Sequence, residues 1–203
     1  MNTHVVHNFI DAQQLASVAA RVDEKDVVRR ERLRIVTVGR IDETKGFSAL
    51  LAALSDTALR SLDIRVGGAG PGLLSLRERH EKRGVAFLGW LSYADVVTEI
   101  LNADAVVVPS IWEEPCATTT LEALALGRVV FALRRGGTPE LLRYAAAPQQ
   151  LRLFDTLAEL AQALAALTLP LPRWPLTASG DVHARLPEIL AVYAARRAMQ
   201  GVS

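Results

Sequence analysis

Two glutamates on either side of a run of threonines are the residues whose types and spacing first suggest chemistry. Glu114 and Glu122 are separated by seven residues, and the threonines of 118–120 lie between them. An ionised carboxylate only accepts hydrogen bonds, so Glu122 could bind both hydroxyls of a ribose and Glu114 those of a second sugar. The N–H groups at the start of a helix near the threonines would suit phosphate. Together these groups describe a nucleotide-sugar site.

Two cations lie in a second segment, G-R-I-D-E-T-K-G, which follows a β-rich run at Leu33 to Val38. Arg40 and Lys45 occupy the loop between this predicted strand and a helix that begins at Phe47. Taken alone, they are either surface cations or phosphate ligands. An arginine binds phosphate through a planar fork and a lysine as a point charge, so the pair could hold a diphosphate.

Alternating strands and helices must position these side chains. The apolar runs at Ala105 to Val108 and Val129 to Leu133 predict two buried parallel strands. A helix at Leu121 to Leu126, closed by Gly127, lies between them, and Thr138-Pro139-Glu140 predicts the start of another helix. Further strands are predicted where other apolar runs occur, at Leu33–Val38, Leu62–Val66, Val85–Leu88 and Leu151–Phe154. The predicted fold class is therefore α/β with a doubly wound parallel sheet, whose carboxyl edge carries the polar loops.

Composition excludes several classes of function. The formal net charge of the 203 residues is +1, which argues against a nucleic-acid partner bound through bulk charge. Cys116 is the one cysteine, which excludes an internal disulfide and favours a reducing compartment. The four histidines show no metal-ligand spacing, so no metal is expected. No signal peptide and no membrane span are recognised, so we expect a cytoplasmic protein, either free or peripheral to the inner face of the membrane.

The motifs together resemble the retaining glycosyltransferases of family 4. Glu114 and Glu122 match the E-x7-E motif of that family, inside P-S-I-W-E-E-P-C-A-T-T-T-L-E-A-L-A-L-G-R-V-V. The segment from Gly136 to Glu140 matches its G-G-x-P-E, and Gly39 to Gly46 matches its G-R-x-x-x-x-K-G. The resemblance extends over nearly the whole chain and is specific from Val36 to Glu140. It implies the Rossmann-like, nucleotide-sugar-binding half of a GT-B enzyme, without a cofactor.

The resemblance also implies roles for individual residues. Arg40 and Lys45 would hold the donor diphosphate, Glu114 would orient the sugar and Glu122 the ribose. The reaction implied is transfer of a sugar from a nucleotide-diphosphate sugar to an acceptor hydroxyl, with retention of configuration. Arg40, Lys45 and Glu114 are accordingly expected to be catalytic. Further donor contacts are expected at Gly39, Gly68, Gly70, Leu88, Cys116, Ala117, Thr118 and Thr119.

Some of these positions have a second interpretation. Gly68 and Gly70 match the G-x-G-P of the family, yet a tight turn explains them as well as a direct ligand contact does. Cys116 is expected to be a packed residue and not a nucleophile, and Glu113 a solvated loop residue. Ala117 stands where the family usually has glycine, and a side chain there could narrow the approach to the donor.

The predicted domain organisation has three parts. Residues 1–30 are a linker-derived N-terminal segment, 31–170 the nucleotide-sugar-binding domain, and 171–203 a proline-rich connection and terminal helix packed on it. V-V-H-N-F-I-D, at 5–11, resembles the start of the second domain in the family, so an acceptor domain is expected to be missing or separately encoded. The alternative is a non-catalytic nucleotide-sugar-binding module. A GT-B sugar-nucleotide epimerase is disfavoured by the E-x7-E and G-R-x-x-x-x-K-G motifs.

Overall fold

Six parallel strands form one sheet in the order β3-β2-β1-β4-β5-β6. The computed structural model describes residues 8–22, 31–168 and 170–199. The strands are β1 (Leu33–Val38), β2 (Leu62–Gly67), β3 (Ala86–Gly89), β4 (Ala105–Val108), β5 (Val129–Leu133) and β6 (Leu151–Phe154). The strand order reverses its direction between β1 and β4. The sheet is therefore doubly wound and Rossmann-like, as the sequence predicts.

Helices cover both faces of this sheet. The helices on one face are α2 (Phe47–Ala53), α3 (Asp56–Ser61), α4 (Leu73–His80) and α7 (Leu157–Ala165). Those on the other face are α1 (Ala12–Ala19), α5 (Tyr93–Asn102) and α6 (Thr118–Ala125). The last helix is α8 (Val182–Met199), and shorter 3₁₀ helices span Glu43–Lys45, Glu81–Arg83 and Thr138–Tyr144.

Strand β5 contributes to both hydrophobic cores. Val129, Phe131 and Leu133 lie in the core on the side of α2 and α7, whereas Val130 and Ala132 lie in the core on the side of α5 and α6. Successive side chains of a strand point to opposite faces, so a strand covered on both faces has no polar positions. This is why β4 and β5 read as unbroken apolar runs in the sequence.

Three helices differ from the sequence prediction. Helix α6 begins at Thr118 with Ala117 as its N-cap, so the threonines form its first turn and none of them caps it. The helix at Thr138–Tyr144 is a 3₁₀ helix and not an α-helix. Helix α3 was not predicted. Its N-terminus is capped by Ser55, whose hydroxyl accepts a hydrogen bond from the Ala58 N–H at 3.2 Å.

The two ends of the described chain contact each other. The Ile10 N–H donates to the Gly180 carbonyl at 3.0 Å, and the Val182 N–H donates to the Ile10 carbonyl at 2.8 Å. The Asp181 carboxylate accepts a hydrogen bond from the Ala12 N–H at 3.0 Å. The segment that precedes α1 is thereby joined to the segment that precedes α8. The predicted match at Val5 to His7 lies outside the described residues.

The proline-rich connection lies against the end of α6. The Trp174 N–H donates to the Gly127 carbonyl at 3.0 Å, and the Thr177 N–H donates to the Ala125 carbonyl at 2.8 Å. The Trp174 side chain packs, partly buried, on the core formed with α7. Trp174 is therefore a packing residue.

Candidate active site at the switch point of the sheet

Two loops meet where the strand order reverses, one after β1 and one after β4. The crevice at the carboxyl ends of such strands is the usual ligand site of an open α/β sheet. It holds a cavity of about 310 Å³. The residues that line it come from both loops, from the start of α6 and from the N-terminal segment: Asn8, Val38, Gly39, Arg40, Lys45, Phe47, Val108, Pro109, Ser110, Glu114, Cys116, Ala117, Thr118 and Thr119.

An ion pair joins the two loops inside this cavity. The Lys45 ammonium contacts Oε1 of Glu114, although the two residues are 69 positions apart in the sequence. The Lys45 side chain is 32% exposed and that of Glu114 is 13% exposed. The Ser110 hydroxyl lies 3.1 Å from the same carboxylate oxygen. The structure thus brings together a cation and a carboxylate that the sequence assigned from separate motifs.

Asp42 organises the loop that carries the two cations. Its Oδ1 accepts hydrogen bonds from the Thr44 N–H at 3.0 Å, the Lys45 N–H at 3.2 Å and the Thr44 hydroxyl at 2.5 Å. The hydrogen bond from the Thr44 side chain is the main reason that the pKa of Asp42 is lowered, so the carboxylate stays ionised. Arg40 Nε lies 3.2 Å from Asp42 Oδ2, and the Arg40 side chain is 71% exposed. Arg40 is therefore the more solvated of the two cations.

The carbonyl of Thr44 connects this loop to the one that carries Glu114. It accepts the N–H groups of Ile111 at 3.0 Å and Trp112 at 3.2 Å. Gly46 has a φ of 72°, and a Cβ at that position would overlap the carbonyl oxygen of Pro109. Glycine is required here both for the left-handed backbone and for the close approach of the loops. The Lys45–Glu114 contact thus has a stiff main-chain support.

The glycine pair after β5 supports Glu114 from the other side. The Gly137 N–H donates to the Glu114 carbonyl at 2.8 Å, and the Gly136 N–H donates to the Glu113 carboxylate. A Cβ at either glycine would overlap the backbone of the Glu113–Pro115 segment. Glu113 is exposed, as expected of a loop residue, and it also holds the two loops together.

Helix α6 directs its N-terminus at the cavity. Thr118 and Thr119 begin the helix, and their N–H groups have no carbonyl partner within it because of helix geometry. Ala117 is buried and Cys116 is half-buried beside them. Burial raises the pKa of the Cys116 thiol, which keeps it protonated and fits a packed residue better than a nucleophile. This end of the cavity offers main-chain donors to an anion.

Glu122 lies one turn further along α6 and is half-buried. Burial raises its pKa to about 7. Tyr93, at the start of α5, has its pKa raised to about 12, chiefly by burial and secondly by the charge of Glu122. Among the described residues, no hydrogen bond or salt bridge to the Glu122 carboxylate is found. Glu122 does not line the cavity that contains Glu114.

A second cavity of about 290 Å³ adjoins the first and shares Val38, Gly39 and Arg40 with it. Its other lining residues are Gly68, Ala69, Trp90, Leu91 and Val96. The Gly68 N–H donates to the Gly89 carbonyl at 2.6 Å. A Cβ at Gly68 would overlap the Gly39 carbonyl, and one at Gly70 the Ile41 carbonyl. Both glycines therefore allow the loops after β1 and β2 to pack closely.

The predicted site residues are not all in one place. Within the described chain, Gly70, Leu88 and Glu122 lie outside the lining of both cavities. Several lining residues were not predicted as site residues, among them the polar or aromatic residues Asn8, Ser110 and Trp90. Ser110 stands four residues before Glu114, and Trp90 follows the glycine that ends β3, so both could have been predicted from their place in the sequence. Asn8 could not, because only the tertiary fold brings it to this cavity.

The described residues include neither a metal-binding cluster nor a membrane-spanning helix. Within residues 8–22, 31–168 and 170–199, no group of three or more His, Cys, Asp or Glu side chains could hold a metal ion. In the same ranges, no helix combines the length and the apolar composition needed to cross a bilayer.

The chain belongs to the group 1 glycosyl transferases, because the model of that family matches residues 32–169. The match includes all six strands and both loops that form the cavity. The "uncharacterized 41.2 kDa protein in cps region" of Klebsiella pneumoniae is 26% identical over 140 residues, 68% of this chain and 38% of that protein. Spore coat protein SA of Bacillus subtilis (strain 168) is 29% identical over 120 residues, 53% of this chain and 32% of that protein. The chain thus spans about a third of the length of these curated relatives.

Solved glycosyltransferases share the fold. HepE of Anabaena, crystallised in complex with UDP and glucose, matches 95% of this chain and 57% of its own, with a TM-score of 0.71 and 18% identity. A glycosyltransferase from Rickettsia africae matches 98% of this chain and 58% of its own, with a TM-score of 0.71 and 16% identity. At these identities the likeness shows the fold, a Rossmann-like sheet found in GT-B glycosyltransferases.

Proposed function

We propose that the chain is the donor-binding part of a retaining glycosyltransferase that uses a nucleotide-diphosphate sugar. The observation that carries the proposal is the cavity at the switch point, where Lys45, Arg40 and the N-terminus of α6 can all approach one diphosphate. Membership of the group 1 glycosyl transferases supports the same function. The complexes of HepE with UDP and with UDP-glucose support a nucleotide sugar as the ligand class.

The chemistry we propose follows from the charges around the cavity. The bond between the sugar C1 and the diphosphate oxygen breaks, and the diphosphate leaves with the bonding electrons. Lys45 and Arg40 stabilise the negative charge that develops on it. The acceptor oxygen attacks C1 from the same face and its proton passes to the departing diphosphate, which retains the configuration. Glu114 accepts hydroxyls of the sugar, and Glu122 those of the ribose.

The first test is binding. Thermal unfolding is followed with UDP, GDP, ADP and their sugars, because a ligand that binds only the folded state raises its stability. We expect one nucleoside diphosphate and its sugar to shift the transition well above the corresponding free nucleoside. Absence of any shift across the panel contradicts the proposed function.

The second test separates the two glutamates by calorimetry. Glu122→Gln is expected to weaken the binding of the nucleoside diphosphate and of the nucleotide sugar alike, because both contain the ribose. Glu114→Gln is expected to weaken the binding of the nucleotide sugar and to leave the binding of the nucleoside diphosphate unchanged. Equal losses for both ligands in Glu114→Gln would rule out a sugar-orienting role for that residue.

A non-catalytic nucleotide-sugar-binding module is the second candidate. Ala117 favours it, because this buried side chain stands at the N-cap of α6 beside the cavity and restricts the approach to the helix. A radiolabelled-donor assay with a panel of acceptors distinguishes the two functions. Transfer, by the chain alone or together with a separately encoded acceptor domain, supports the enzyme. Binding without transfer or hydrolysis in both settings, in Ala117→Gly as well as in the parent, supports the module.

A further inference from the structure

The Ser110 hydroxyl lies between acceptors that belong to two different loops. Its oxygen is 3.3 Å from the Thr44 carbonyl and 3.1 Å from Glu114 Oε1. A hydroxyl has one proton to donate, and a carbonyl has two lone pairs. The Thr44 carbonyl already accepts the N–H groups of Ile111 and Trp112. The Ser110 proton is therefore directed to the carboxylate, which as an ion is also the stronger acceptor.

Ser110 is well placed to fix the orientation of a carboxylate. Ser110 is 7% exposed and follows Pro109, directly after the buried strand β4. The Pro109 carbonyl packs against Gly46, so the chain before Ser110 has little room to move. Glu114 has a longer side chain with several rotamers, which must be restricted before it can bind a hydroxyl in one geometry.

The hydrogen bonds of the Glu114 carboxylate are made through one of its two oxygens. Among the described residues, the Lys45 ammonium and the Ser110 hydroxyl both approach Oε1. Oε2 is thereby left for a hydroxyl of a ligand. A diphosphate bound nearby attracts Lys45 and weakens its hold on the carboxylate. The Ser110 hydroxyl, which is neutral, is not attracted in this way and still holds Oε1.

We propose that Ser110 is a positioning residue, which orients Glu114 so that Oε2 accepts a hydroxyl of the donor sugar. The proposal rests on the proposed function and assigns one more residue to the same site. It predicts that loss of the Ser110 hydroxyl weakens the binding of a nucleotide sugar and leaves the binding of the corresponding nucleoside diphosphate unchanged. A residue that merely joined the two loops would affect both.

The experiment compares UDP with UDP-glucose, or the best pair from the binding panel, by calorimetry in the parent and in Ser110→Ala. We expect the dissociation constant of the nucleoside diphosphate to change less than twofold. The dissociation constant of the nucleotide sugar is expected to rise roughly tenfold, the scale of one hydrogen bond to a charged group. Ser110→Thr keeps the hydroxyl and is expected to restore most of the difference.

A double-mutant cycle with Glu114→Ala identifies the route of the effect. If Ser110 acts through Glu114, Ser110→Ala causes no further change once the carboxylate is absent. Ser61→Ala is the matched control: its hydroxyl donates to the Ala58 carbonyl at 2.9 Å, outside both cavities. Thermal unfolding of each variant without ligand checks that it folds.

The outcomes separate this inference from the proposed function. If the parent binds no nucleotide of the panel, the proposed function fails and the inference fails with it. If the parent binds and Ser110→Ala leaves the ratio of the two dissociation constants unchanged, or weakens both ligands equally, only the inference is wrong.

Discussion

The Lys45 ammonium has a protein partner as well as a proposed ligand. It pairs with Glu114 within the cavity, whereas the Arg40 guanidinium is mostly exposed and faces Asp42. Charge interactions weaken as solvent exposure increases, so the two cations are not equivalent. A diphosphate bound near Lys45 would be stabilised by a partly desolvated cation, and one bound near Arg40 by a solvated cation.

We therefore expect Lys45→Ala to weaken nucleoside-diphosphate binding by about 1.5–3 kcal/mol, the scale of a charge-assisted contact. Arg40→Ala is expected to cost less, about 0.5–1.5 kcal/mol, because of its exposure. Calorimetry with the diphosphate measures both losses, and the free nucleoside is the control that neither variant should affect. Parent-like binding of the diphosphate by both variants would show that these cations do not hold it.

Glu122 gives the molecule a pH-dependent stability. Its pKa in the folded state is about 7, against about 4.5 for an ordinary glutamate. Between these pH values the unfolded chain releases a proton that the folded chain retains, so this group lowers the free energy of unfolding as the pH rises from about 4.5 to 7. Above and below that window its contribution is constant.

Glu122→Gln, which is neutral at every pH, is expected to remove this dependence and to raise the free energy of unfolding at pH 8 by about 1–3 kcal/mol. Urea unfolding at pH 5 and pH 8 measures it. Glu78→Gln, at an exposed position of α4, is the control and is expected to leave the difference between the two pH values unchanged. A Glu122→Gln variant that keeps the parent's pH dependence would contradict the assignment.

At the scale of the elements, the contact between the loops after β1 and β4 is mainly a backbone contact. The Thr44 carbonyl accepts two N–H groups of the other loop, and Gly46 lies directly against the Pro109 carbonyl. The side chains of Lys45 and Glu114 start from these two loops. The relative position of these two side chains is thus set by the main chain. A side chain at residue 46 would not fit between the two loops.

Gly46→Ala is accordingly expected to destabilise the fold by about 2–4 kcal/mol, because it combines a left-handed backbone with a steric overlap. Gly84→Ala is the matched control. Its φ is 94°, but its Cβ would meet only the Leu59 carbonyl at 4.0 Å, so it is expected to cost about 1 kcal/mol, the backbone strain alone. Urea unfolding compares them. An equal loss of unfolding free energy in the two variants would show that the overlap with Pro109 adds nothing to the cost of the backbone strain.

The elements were predictable from the sequence where burial is complete. The runs at Ala105–Val108 and Val129–Leu133 are covered on both faces, so every position is apolar and the strand bounds are exact in the prediction. Helix α3 was missed because six residues are too short to show a helical period. The contact of Lys45 with Glu114 follows from the predicted topology only in part. The glycine at 46 is visible in the sequence, but its partner Pro109 is not, and the Thr44 carbonyl contacts are made by backbone atoms that every residue carries.

At the scale of the whole molecule, Asp181 connects the two ends of the described chain. Its Oδ1 accepts the Ala12 N–H at the start of α1, and its Oδ2 accepts the His183 N–H at the start of α8. One carboxylate thus satisfies orphan donors of two helices that are far apart in sequence. Asp11 has a simpler role, because its carboxylate accepts the Gln14 N–H within α1 alone.

Asp181→Ala is expected to lower the free energy of unfolding by about 1.5–2.5 kcal/mol, because it removes two helix caps at once. Asp11→Ala removes one and is expected to cost about 1 kcal/mol. Urea unfolding of both variants gives the comparison. If Asp181→Ala costs no more than Asp11→Ala, the bond between the two ends contributes nothing to stability.

The placement of the three tryptophans has an optical consequence. Trp112, two residues before Glu114, and Trp90, in the lining of the second cavity, are 59% and 76% exposed. Trp174 is partly buried against the core formed with α7, and its backbone N–H donates to the Gly127 carbonyl just after the C-terminal end of α6, whereas the first cavity lies at the N-terminal end of that helix. We expect the two exposed indoles to emit as solvated fluorophores and to be open to a soluble quencher. Quenching measured with and without ligand would then report on the neighbourhood of the crevice without a label.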